Sequence, residues 1–102
     1  MYLVQILLPL RGDSGERLPK ERYAQVRREL TARYGGATAF LRSPAQGTWK
    51  DDDGKVERDE VVMCEVMVES LEREWWTRYR RTLEARFEQR ELVVRALEIE
   101  LI

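Results

Sequence analysis

Histidine is absent from the chain and cysteine occurs once, at Cys64. The first absence removes the side chain most used for proton transfer near neutrality and for binding zinc, so no metal site is expected. The second excludes a disulfide within the chain. Asparagine is missing too, and 3 prolines and 6 glycines in 102 residues are too few for a linker-rich or low-complexity chain. No apolar run approaches the roughly 20 residues that a membrane-spanning helix needs. Residues 1–10 are apolar, but no basic residue precedes them and Pro9 interrupts them. A signal peptide is therefore not expected there, and the protein reads as cytoplasmic with no membrane partner. Neither sign of charge dominates: 18 Lys and Arg against 19 Asp and Glu leave a net charge of −1. Such a surface offers nucleic acid no basic patch, so none is expected as a partner.

What the chain does have is 43% hydrophobic residues, enough to predict that residues 1–102 form one domain around one core. Residues 2–8 alternate Tyr2, Val4, Ile6 and Leu8 with Leu3, Gln5 and Leu7, the pattern of a central strand apolar on both faces. After a polar loop, Pro19 opens a helix whose apolar stripe is Tyr23, Val26, Leu30 and Tyr34, and Gly35 and Gly36 close it with positive φ. Residues 37–49 read as an irregular edge strand interrupted at Pro44 and Gly47. Asp53-Gly54 marks a hairpin turn into a long strand over residues 56–69. Ser70 reads as the N-cap of a second helix with Leu71, Trp75, Trp76, Tyr79, Leu83 and Phe87 at helical spacing. Residues 92–102 alternate as a last strand, with Leu97, Ile99 and Leu101 on the helix side.

Two βαβ halves of this kind assemble most simply as an α+β ferredoxin-like βαββαβ domain. It would hold a four-stranded antiparallel sheet, order 4-1-3-2, with both helices on one face. The other face would then carry Leu3, Gln5, Leu7, Val61, Met63, Glu65 and Met67, with Val94, Ala96 and Glu98 from the last strand. A face this apolar does not suit water. The expected cover is a second copy of the chain, making a homodimer, or a small molecule held in a half-apolar cavity. Glu65 is the candidate catalytic residue, because desolvation among methionines can bring a carboxyl into the range of a general base. The competing reading is a carboxylate satisfied by an arginine across an interface. Gln5 would orient the substrate, and Met63, Met67 and Trp49 would line the pocket. Glu60, on the helix-facing row, is expected to pair with an arginine.

Other motifs fall to simpler readings. Cys64 lies in a core run with no base to activate it. The run Asp51-Asp52-Asp53-Gly54 lacks the glycine and glutamate positions of an EF-hand loop. Gly12 and Gly15 lack the lysine of a phosphate-binding loop, and no cofactor is expected.

The run Tyr34-Gly35-Gly36-Ala37-Thr38, with Gly47-Thr48-Trp49, Gly54 and Glu60 ahead of an apolar strand, resembles a bacterial family of small proteins of unknown function. That resemblance implies a ferredoxin-like fold and brings no activity or cofactor. By architecture the chain also resembles the dimeric α+β barrel proteins, which include cofactor-independent monooxygenases and isomerases. Those enzymes commonly use histidine, asparagine or tryptophan, and this chain has no histidine or asparagine. The leading expectation is therefore a non-enzymatic module for self-association or small-ligand binding. The alternative is a cofactor-independent enzyme acting on a small apolar substrate.

Overall fold

The computed structural model describes residues 1–42, 49–50, 56–57 and 61–102, with 38–42, 49–50 and 56–57 described by their backbone alone. The chain runs β1 (Tyr2–Pro9), α1 (Lys20–Tyr34), β2 (Thr38–Arg42), β3 (Trp49–Lys50), β4 (Val56–Glu57), β5 (Val61–Val68), α2 (Arg73–Arg86) and β6 (Val93–Glu98). Four strands form an antiparallel sheet ordered β2-β5-β1-β6, and β3 and β4 pair separately.

The expected ferredoxin-like βαββαβ chain is corrected here. Among the described residues four strands, not two, separate the helices, and the main sheet is open, with β2 and β6 as its edges. Within the expected strand over residues 37–49 the described strands are β2 and the start of β3, and within that over 56–69 they are β4 and β5. The Asp51–Gly54 turn and Glu60 lie outside the described residues.

Alternation sorts the sheet into two faces. Val4, Ile6 and Leu8 of β1 and Cys64, Val66 and Val68 of β5 are buried against Val26 and Leu30 of α1 and Trp76, Tyr79 and Leu83 of α2. Both helices thus cover one face, and Phe87, just past α2, is fully buried with them. Gly35 ends α1 at φ 81° and donates its N–H to the Thr31 carbonyl; a side chain at that φ would be strained. Gly36 does not share that conformation. Helix α2 starts later than expected, at Arg73, with Glu72 rather than Ser70 at the N-cap position. The intervening residues turn the chain after β5, and Leu71 packs on the core.

Trp75 and Trp76 diverge as helix neighbours must. Trp76 enters the core, while Trp75 stacks on Tyr79 and takes the Arg33 guanidinium over its ring at 4.2 Å.

A carboxylate ties the two helices together. Glu29 of α1 accepts two hydrogen bonds from Arg86, at 2.6 and 3.0 Å, and one from the Tyr79 hydroxyl at 2.9 Å. The Arg86 hydrogen bonds hold the Glu29 carboxyl below its ordinary value of 4.5, against the opposing pull of burial. A carboxyl whose pKa is depressed by folding contributes stability above its unfolded pKa and loses it as pH falls through the folded one. The stability gap between the native protein and Glu29→Gln is therefore expected to shrink as pH drops below about 4.5. Denaturant midpoints measured from neutral to acid pH read this directly, and a gap that does not change with pH would exclude the linkage.

Candidate functional site

On the helix-free face the ladders set three rows across β5, β1 and β6. Met67, Leu3 and Leu97 form one; Glu65, Gln5 and Arg95 the next; Met63, Leu7 and Val93 the third. The middle row is polar and hydrogen-bonded end to end. Arg95 Nε donates to Gln5 Oε1 at 2.7 Å, and Gln5 Nε2 donates to Glu65 Oε2 at 2.6 Å. The partners fix which way the Gln5 amide points: its oxygen must meet the guanidinium, which only donates, and its nitrogen the carboxylate. The row therefore joins a cation at the sheet edge to a carboxylate at its centre through one oriented amide.

The rows on either side are apolar and unevenly covered. Met63 is 3% exposed, whereas Met67, Val93 and Leu97 are 54%, 53% and 49% exposed. Leu3, Leu7 and Val61 are half-buried. Next to Leu7, Val61 and Val93 the face opens into a cleft of about 730 Å³, walled by the loop after β1 and the segment before β6, including Arg11, Asp13, Gln89 and Glu91. That volume suits a small organic molecule. Its walls are held in place: Gln89 Nε2 donates to the Arg11 carbonyl at 3.0 Å, and Asp13 Oδ2 accepts from the Arg90 amide at 3.1 Å.

Most of the residues singled out from sequence share this face: Leu3, Gln5, Leu7, Val61, Met63, Glu65 and Met67. Trp49 lies in the separate ladder, its backbone opposite Glu57. The parity expected for the last strand is reversed. Val94 packs on the core, Ala96 and Glu98 share its side of the strand, and Val93, Arg95 and Leu97 lie on the helix-free face. Arg95 is thus the member of the row that sequence reading missed. Cys64 is buried on the core side, where burial pushes its thiol up to about 11 and so disfavours the thiolate. No cluster of three or more potential metal ligands occurs among the described residues, and none of the described helices is long and apolar enough to cross a membrane.

No family model and no curated protein matches the chain. Among solved structures, a phage SAM lyase in complex with S-methyl-5'-thioadenosine has a similar fold, with a TM-score of 0.62 and 17% identity over 95% of this chain and 80% of that one. This likeness corrects three expectations. The proposed memberships, in the bacterial family of unknown function and among the dimeric α+β barrels, give way to a distant structural likeness to that lyase, on a chain whose own sheet is open. The non-enzymatic expectation loses its support as well, since the solved structure with a similar fold is that of an enzyme. The chain is thereby related in structure to an enzyme that acts on a small molecule.

Proposed function

We propose that the protein is an enzyme acting on a small molecule bound on the helix-free face, and that the substrate is a sulfonium compound of the S-adenosylmethionine class. The observation that carries this reading is the Arg95, Gln5, Glu65 row set between apolar rows, on a fold similar to that of a SAM lyase. A lone carboxylate among methionines and leucines complements a cation flanked by apolar groups. Attraction alone would not accelerate cleavage. The positive charge fades as the C–S bond breaks and its electron pair leaves on sulfur, so Glu65 would hold the substrate more tightly than the transition state. Glu65 speeds the reaction by accepting a proton from the carbon next to the breaking bond. The C–H pair becomes the new double bond, and sulfur departs as a neutral thioether. Gln5 keeps the acceptor lone pairs of Glu65 aimed at the substrate, and Arg95 keeps Gln5 from flipping.

The exposed apolar residues Met67, Val93 and Leu97 support a second part of the reading: another copy of the chain covers this face and excludes water from the bound substrate. The direct test is incubation with S-adenosylmethionine, following release of S-methyl-5'-thioadenosine by chromatography. Time-dependent release that scales with protein concentration is expected. Absence of release, together with no change in melting temperature on adding S-methyl-5'-thioadenosine, would overturn the substrate assignment.

A further inference from the structure

A second cavity, of about 170 Å³, lies on the helix side of the sheet between the start of α2 and the edge strand β6. Its α2 wall is Arg73, Trp76, Thr77 and Arg80, whose spacing puts them on one face of the helix. Two of these side chains are anomalous. Trp76 is only 5% exposed, yet its indole Nε1 is buried with no hydrogen-bond partner among the described residues; Arg80 Nε is in the same position. Folded proteins seldom leave a buried donor unmet, and each such group calls for a missing acceptor. Here two donors one helical turn apart call for one, and both can only donate.

The surroundings specify what that acceptor is. Arg73 and Arg80 of α2 both line the cavity, and no carboxylate lines it among the described residues. The positive end of the α2 dipole lies at the same end of the helix, where Glu72 at the N-cap position provides no side-chain hydrogen bond to the first turn. A neutral acceptor would leave that charge uncompensated. We infer that this cavity is a binding site for a small oxyanion, a phosphate or a carboxylate group, held by the Trp76 indole N–H and the Arg80 guanidinium. It is distinct from the site on the helix-free face, although Arg95 borders both.

The indole N–H resonances of the ¹⁵N-labelled full chain provide the test. Trp76→Phe assigns the Trp76 signal by removing it and keeps an aromatic ring in the core. Titration with inorganic phosphate or with acetate, against sodium chloride at equal ionic strength, is expected to move that signal downfield and to saturate. Arg80→Gln, with the other two indole signals unchanged as evidence of folding, is expected to weaken the affinity at least about tenfold, the loss of one charge-assisted hydrogen bond. A response to phosphate alone assigns a phosphorylated ligand, a response to acetate alone a carboxylate, and a response to both an oxyanion site in general. A signal that stays still at tens of millimolar of both, that chloride moves equally, or that responds unchanged in Arg80→Gln overturns the inference.

Discussion

Replacing Glu65 by glutamine is expected to abolish measurable turnover of the sulfonium substrate, lowering the rate by at least about 10²-fold, while the protein folds and melts as before. Glutamine has the shape of glutamate and can still accept from Gln5 Nε2 through its own carbonyl oxygen, so the 2.6 Å contact across β1 and β5 survives. What disappears is the basic oxygen and its charge. Losing the charge has a separate signature in binding. The native protein should prefer a sulfonium ligand over the neutral thioether S-methyl-5'-thioadenosine, and Glu65→Gln should lose most of that preference, a change of about tenfold for a half-buried site. Calorimetric affinities for the two ligands measure this without any turnover. A variant that retains a rate within a few-fold of the native protein would remove Glu65 from the chemistry. Loss of rate with the ligand preference unchanged would leave it acting on the proton alone.

The sequence makes Glu65 and Gln5 conspicuous because β1 and β5 alternate without interruption and each carries one polar residue in an apolar row. The register of the ladder then sets Gln5 opposite Glu65. Arg95 could not be placed the same way. Strand β6 has apolar residues at both 93 and 94 and at both 96 and 97, so either parity leaves a plausible core face. The alternation of Leu97, Ile99 and Leu101 favoured the wrong one. That alternation lies mostly beyond the sheet: β6 ends at Glu98, opposite Tyr2 where β1 begins, with one further bond from the Ile99 amide to the Met1 carbonyl. The buried Leu92 and the half-buried Val94 set the true parity, and only the three-dimensional register distinguishes them from Leu97 and Ile99.

Between the helices the limit was of another kind. Pro44 and Asp53-Gly54 read as breaks in the sequence, but local turn chemistry does not say whether the segment after a break rejoins the main sheet. Trp49–Lys50 and Val56–Glu57 instead form a ladder of their own. The cavity under α2 was hidden for a similar reason. Arg73, Trp76 and Arg80 look like an ordinary amphipathic helix border, and only tertiary packing reveals that two of their donors are buried without acceptors.

Self-association over the helix-free face predicts a second large effect, at Met67. A charge at Met63 cannot test it: Met63 is 3% exposed within the single chain, so Met63→Asp would damage the fold whether or not copies associate. Met67 is 54% exposed, on the same face two residues from Glu65 and in the row with Leu3 and Leu97. In an isolated chain Met67→Asp should change stability by no more than about 0.5 kcal/mol, as for most exposed positions. In an association over this face it buries a carboxylate against apolar side chains with Glu65 close by. Burying an unpaired polar group costs at least about 2 kcal/mol, which weakens association about 30-fold or more. Sedimentation across a concentration series, with a thermal melt of the same samples, separates the two quantities. A concentration-dependent native assembly that Met67→Asp dissociates, with the dissociated variant still folding cooperatively, is the expected result. A native protein that stays monomeric at the highest concentrations, or a variant that assembles as the native chain does, would mean that water rather than a second copy meets Met67, Val93 and Leu97.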